Sequence, residues 1–244
     1  PHVELTVNII REIAREQHLH FKMAVIDAEF EKDYIKAELR KGNVTPLGPA
    51  PELTEANVDE CIHIVGQMGE EPYMKALEMG AQVILAGRSY DPCEFSALAI
   101  SKGFPKALAI HMGKILECAA ITALPGSGSD CMLGTLRKDS FVVEPLNPER
   151  KCTTLSVAAH SLYEKSNPYE LPGPGGAIDL HKTTFTQLSE SQVEVRGTEF
   201  VPTEDYYVKL EGVRRVGYRT ISPAATHDPV MISQIDEVIR GVRN

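Results

Sequence analysis

"EEPYMKALEMGAQVILAGRSYDP" (Glu70–Pro92) contains a helix, a stop, a strand and a loop in one short passage. Pro72 suits a first helical turn and Gly80 suits a helix end. "QVILAG" (Gln82–Gly87) is a brief apolar run of strand length. Similar units stand before it. A helix is expected over Val3–Gln17, then a buried strand in "HFKMAVIDA" (His20–Ala28). "FEKDYIKAELRKG" (Phe30–Gly42) reads as an amphipathic helix stopped by Gly42, and "PLGPAPEL" (Pro46–Leu53) as a loop. "CIHIVG" (Cys61–Gly66) is another strand. Short apolar strands alternating with helices predict a partly parallel sheet with crossover helices.

After "GRSYDP", helices are expected over Asp91–Lys102 and Pro105–Ala123, with the Asp91 carboxylate as the cap of the first. The second half changes character. "CMLGTLR" with "SFVVEPL", and "TFTQLSESQVEVRG", read as antiparallel hairpins. "TTLSVAAHSLYEKS" and "HDPVMISQIDEVIRGV" read as helices, and "DYYVKLEGVRRVGYRTIS" as β-rich. The fold class is therefore α/β over residues 1–125 and α+β over 126–244, as two regions or one intertwined domain.

The chain has 244 residues, enough to bury a real core. Its net charge of -9, without a basic cluster, argues against a nucleic-acid backbone as partner. The greasiest run, "AQVILAG", is far short of a membrane span. Cys61, Cys93, Cys118, Cys131 and Cys152 are scattered without a CxxC pair, which suits reduced thiols in a cytoplasm. The chain opens on Pro1 without an initiator Met, so a fragment or processed form is expected.

Reactive side chains gather in "HMGKILECAAITALPGSGSD" (His111–Asp130). At about 100° per residue His111, Lys114 and Cys118 share a helix face, with Glu117 on an adjoining one. Facing a pocket, they would bind a carboxylate or share a proton; otherwise they are a half-buried helix with a solvated Lys114–Glu117 pair. "LPGSGSD", with Ser127, Ser129 and Asp130, can turn backbone N–H groups toward an anion. It follows a helix and precedes a strand, so it is not a dinucleotide fingerprint. "IVGQMGEEP" (Ile64–Pro72) has the right order, but Glu70 and Glu71 at the helix start would repel phosphate.

"AGRSYDP" leaves the end of an expected parallel strand, where ligands bind in open α/β sheets. Arg88 there is suited to a bidentate carboxylate. "YEKSNPYELPGPGG" (Tyr163–Gly176) is a long Pro/Gly loop that either covers the core or serves a site. His160, His227 and Asp228 are ligands or bases in principle, and structural singly.

"GAQVILAGRSYDP", "HMGKILECAA", "GSGSDCM", "AAHSLYEKSNPYELPGPGG", "VKLEG", "VGYRTI" and "HDPVMISQID" resemble, in that order, the acyclic terpene utilisation AtuA family from about residue 60 to the end. The resemblance implies a longer protein with a further N-terminal segment. It also implies a cytoplasmic catabolic role on branched acids or acyl-CoA thioesters.

The expectation is an enzyme of lyase, hydratase or isomerase type. His111 and Glu117 would move the proton; Arg88, Lys114, Ser127, Ser129, Asp130 and Gly175 would bind the substrate. No cofactor or metal is expected. The partner is a small carboxylate or acyl-CoA, within a homo-oligomer or beside a partner subunit. The rivals are a non-catalytic ligand-binding or partner subunit, and a metal hydrolase using His111, Glu117 and Asp130.

Overall fold

The structure, a computed structural model, describes residues 2–163 and 167–243. Val3–Glu16 (α1) leads to Met23–Ile26 (β1), Lys32–Arg40 (α2), Glu55–Glu60 (α3) and Cys61–Gly66 (β2). Glu71–Glu78 (α4), Val83–Ala86 (β3), Cys93–Ser101 (α5) and Lys106–Leu116 (α6) follow. Gly42 and Gly80 take positive φ of 78° and 76° just past α2 and α4, the left-handed step that ends a helix. A reciprocal capping box between Thr54 and Asn57 starts α3.

Beyond a 3-10 turn at Ala119–Thr122 come Met132–Leu136 (β4), Ser140–Pro145 (β5) and Thr154–Ser161 (α7). Glu170–Gly173 (β6), Gly176–Asp179 (β7), Thr184–Gln187 (β8), Val193–Arg196 (β9), Glu199–Pro202 (β10) and Leu210–Arg214 (β11) are all short. Pro229–Ser233 (α8) and Ile235–Arg243 (α9) close the chain.

The fold is mixed α/β, with a parallel pair in the N-terminal half and antiparallel sheets in the C-terminal half. β1 runs parallel to β3, with Met23 opposite Val83. β2 has the expected bounds but stands outside that pair. It is antiparallel to β11, with Leu210 opposite Gly66. Its other edge is occupied by the chain leaving β1: Phe30 N–H donates to Ile64 O, and Gly66 N–H to Ala28 O. β4, β5, β9 and β8 form an antiparallel sheet in that order; β10, β7 and β6 form another.

Several expectations are corrected. The helix from Pro105 stops at Leu116, with Glu117 as its last cap and Cys118 beyond it. Asp91 does not cap α5; Pro92 occupies the cap position and Asp91 turns to Arg88. "LPGPGG" is not an irregular loop but a hairpin, with Leu171 opposite Ile178 and Gly175 at φ 73° in the turn. Only Leu210–Arg214 of the β-rich stretch forms a strand. The final helix breaks at Gln234 into α8 and α9, though Asp228 caps it as an Asp–Pro start should.

By contacts the chain divides into residues 1–214 and 215–244. In the first unit, α6 is the keystone: every residue from Ala107 to Ile115 is buried. Leu108, Met112 and Ile115 pack with Phe141, Val143, Val193 and Val195 of β5 and β9 and with Val157 of α7. Ile110 packs in a second cluster with Tyr73, Tyr90, Cys93, Leu171 and Ile178. A third cluster joins Ile35, Val58 and Ile64. In the second unit none of residues 215–242 is buried, and Ile235, Ile239 and Val242 are exposed on α9.

Candidate functional site

β1 and β3 end at Ile26 and Ala86, and the loop after β3 continues through Gly87, Arg88, Ser89 and Tyr90. Gly87 is glycine for space: a Cβ there would lie 2.9 Å from Ala28 N, in the turn after β1. A parallel bridge joins Met68 to Ser89, and Tyr90 N–H donates to Met68 O. The loops after β2 and β3 are thereby stitched together at the strand ends.

Tyr90 sits at the centre of this junction. It lines a small cavity with Glu70, Ile110, Leu171, Gly173, Pro174, Gly176, Ile178 and Phe200. A Cβ on Gly173 would meet the Tyr90 ring at 2.8 Å, so the β6–β7 hairpin reaches the phenol only because that position is glycine. Burial, then the charges of Glu117, Cys93 and Glu70, push the Tyr90 phenol well above the usual tyrosine range. It therefore stays protonated and keeps a hydroxyl proton that can be donated as a hydrogen bond to an acceptor.

The carboxylates around Tyr90 each have a lysine. Glu70, 2% exposed, has Lys106 Nζ at 3.5 Å from Oε2 and Ser96 Oγ donating to Oε1 at 3.4 Å. Oε2 itself lacks an aligned hydrogen bond. Lys106 also sits over the Phe200 ring at 4.5 Å. Glu117 accepts from Lys114, which is itself buried, and Lys114 Nζ lies 5.7 Å from the centre of the Tyr163 ring. The pair, solvated on one of the two readings of this helix, is an interior ion pair made one helical turn apart.

His111 is in a different place. It has no solvent exposure and is flanked edge-on by Phe141 and Phe185. Nδ1 pairs with Thr198 Oγ1 and Nε2 with Ser161 Oγ, both at 2.8 Å. Burial lowers its pKa to about 3, so the ring is neutral. A proton-moving histidine needs a route to substrate, and this one has both nitrogens engaged inside the core. The role expected for it does not fit that position.

Arg88 lies at the strand end as expected, about one-third exposed. It already faces two carboxylates: Asp91 at 3.2 Å and Glu211 at 3.2 Å from Nε. Ser127 and Ser129 bond each other in an exposed turn. Asp130 is held by Asn147 at 2.8 Å and Arg150 at 2.7 Å, which lower its pKa together with the Cys131 N–H. Gly175 sits beside Tyr206, whose hydroxyl donates to Glu71 at 2.8 Å. The structure thus places Glu117 and Arg88 near the Tyr90 junction, and Asp130 with its serines in a separate loop. His111, Glu117 and Asp130 each have other partners; among the described residues no group of three His, Cys, Asp or Glu could hold a metal.

Residues 3–123 match the family model described as acyclic terpene utilisation family protein AtuA. Over this stretch the chain is similar to the AtuA family. The match covers just under half of the 244 residues, and it includes Glu70, Arg88, Tyr90, Lys106, Lys114 and Glu117. Of the motifs that carry the resemblance, "GAQVILAGRSYDP" and "HMGKILECAA" lie in the AtuA match; those after residue 123 lie beyond it. No curated protein and no solved structure matches the chain significantly. Among the described residues no helix is long and apolar enough to cross a membrane.

Sequence reasoning missed Tyr90 and Lys106 and assigned Glu70 only a repulsive charge. The available signal was "GEEP" and "RSY" at the ends of successive strands, where an α/β sheet gathers its ligands.

Proposed function

We propose that the chain is a cytoplasmic catabolic enzyme of the acyclic terpene or branched-acid type, acting on a carboxylate or acyl-CoA by acid–base chemistry. The observation that carries this reading is the buried phenol of Tyr90, kept protonated in the company of Glu70 and Glu117. A neutral donor beside two carboxyl groups that each face a lysine suits proton transfer next to a carbonyl. One carboxylate moves the proton, while the phenol donates a hydrogen bond to the oxygen on which negative charge collects.

Glu117 takes the proton-moving role in this reading, and Lys114 holds its charge. Arg88 meets the substrate's anionic group at the rim, exchanging Asp91 or Glu211 for it. Carboxylates so placed contribute roughly 10²–10⁴ in rate. The test is solvent-deuterium exchange into the carbon next to the carbonyl, read by mass spectrometry on isovaleryl-CoA and other saturated branched acyl-CoA thioesters, whose α-carbon carries an acidic C–H. Exchange by the wild type, cut at least about 100-fold in Glu117→Gln, supports it. Equal exchange in Glu117→Gln and wild type defeats it.

A second reading, a subunit that completes a partner enzyme, draws on the exposed apolar row of Ile235, Ile239 and Val242 on α9. Turnover that appears only when a neighbouring gene product is added would favour it.

A further inference from the structure

Glu70 and the cavity beside it go beyond proton transfer at Glu117. Glu70 Oε2 is fully shielded from solvent and lacks an aligned hydrogen-bond partner, although it belongs to a carboxylate. An interior carboxylate oxygen without a hydrogen bond is costly, so such groups ordinarily hold a water. The cavity that Glu70 lines has room for about one: its volume is about 10 Å³. Ile110, Leu171, Ile178 and Phe200 supply apolar walls, and Gly173, Pro174 and Gly176 line it from the β6–β7 hairpin. Lys106 Nζ lies 3.5 Å from Oε2. The lining therefore offers a charged acceptor between apolar walls.

We propose that this cavity is a site for a single water molecule, oriented by Glu70, which serves as the second substrate of a hydration–dehydration reaction. This rests on the acid–base reading above and narrows it from three reaction types to one. In the hydration direction Glu70 takes one proton of the water as its oxygen bonds to the β-carbon of an α,β-unsaturated acyl group. The electron pair of the double bond moves toward the carbonyl, whose oxygen accepts a hydrogen bond from Tyr90. The Lys114–Glu117 pair delivers a proton to the α-carbon, and solvent exchange resets both acidic groups. The sum is one water added across one double bond, with no redox change. Dehydration is the same path reversed. Entry of the acyl group requires the turn at Pro174–Gly175 to lift from Tyr90.

Two measurements on the full chain decide it. A crystal structure at a resolution that shows ordered water is expected to place one water within hydrogen-bond distance of Glu70 Oε2; a dry cavity overturns the site. Incubation with crotonyl-CoA in water enriched in oxygen-18 is expected to give a hydroxyacyl product carrying the heavy oxygen. Glu70→Gln, nearly the same shape, should lose that incorporation at least about 100-fold. Its circular dichroism should match that of the wild type, so that the loss is not one of folding. Exchange on isovaleryl-CoA without oxygen-18 incorporation from crotonyl-CoA in the wild type overturns hydration but leaves the acid–base reading standing. Absence of both overturns the two together. Wild-type incorporation by a folded Glu70→Gln protein overturns the role of Glu70.

Discussion

His111 and Glu70 are both buried, both titratable and both in the N-terminal 123 residues, yet their surroundings differ. His111 has a hydroxyl on each ring nitrogen and aromatic rings on its flanks. Glu70 has a lysine at 3.5 Å, a serine at 3.4 Å and an oxygen that still lacks a hydrogen bond beside a cavity. A saturated polar group inside a core is scaffold, because nothing is left for a substrate to satisfy. An unsaturated one costs stability where it stands, and such costs collect at working sites.

The comparison can be broken first at the interior ion pair next to it. Lys114→Met takes the Lys114 charge away from the buried Glu117 and should cost about 3–5 kcal/mol in urea unfolding. Lys114→Met with Glu117→Leu should recover most of that loss, since two apolar groups no longer strand a charge. A double variant as unstable as the single would show that the pair is not the source.

Removing the saturated group comes next. His111→Ala opens a cavity and takes one partner each from Thr198 and Ser161, for about 2–4 kcal/mol. His111 also sets a pH dependence. Its pKa is near 3 when folded and 6.5 ordinarily, so below pH 6.5 the unfolded chain binds a proton that the folded chain refuses. Its contribution to stability is complete above pH 6.5 and is lost as pH falls toward 3, at about 1.4 kcal/mol per pH unit. His111→Gln should flatten that slope in urea midpoints taken from pH 7 to pH 5. An unchanged slope would mean that other groups carry it.

Smaller effects sharpen the hairpin's place at the site. Gly113→Ala puts a methyl 2.6 Å from the Pro92 carbonyl oxygen, where α6 crosses the start of α5. It should cost about 1–3 kcal/mol by thermal unfolding. Tyr206→Phe removes only the hydrogen bond to Glu71, worth about 1 kcal/mol or less at a half-exposed position. A larger loss would mean that Tyr206 fastens the turn at Gly175.

Local order was legible in the residues. Pro72, Gly80 and Gly42 marked helix starts and stops because their backbone preferences act within a few positions. Cys61–Gly66 was read to its exact bounds, but its partner β11 lies at the far end of the same unit, and no local pattern encodes that pairing. The site was less legible. Helical periodicity assigns one face to the core, so it could not anticipate that α6 is buried on every side. Periodicity therefore leaves His111 and Lys114 either facing a pocket or in a half-buried helix. Their partners Ser161 and Thr198 on one hand, and Glu117 on the other, decide their roles, and the first two come from distant segments. "LPGPGG" has the composition of a loop; its strands exist because Leu171 and Ile178 pack into the cluster around Tyr90.

The most direct measurement compares Tyr90→Phe with His111→Gln in α-deuterium exchange on isovaleryl-CoA, at a temperature where circular dichroism shows both folded. Loss of at least about 100-fold in Tyr90→Phe, with wild-type exchange in His111→Gln, is the expected result. Full exchange in Tyr90→Phe and loss in His111→Gln would contradict the account and return the chemistry to α6.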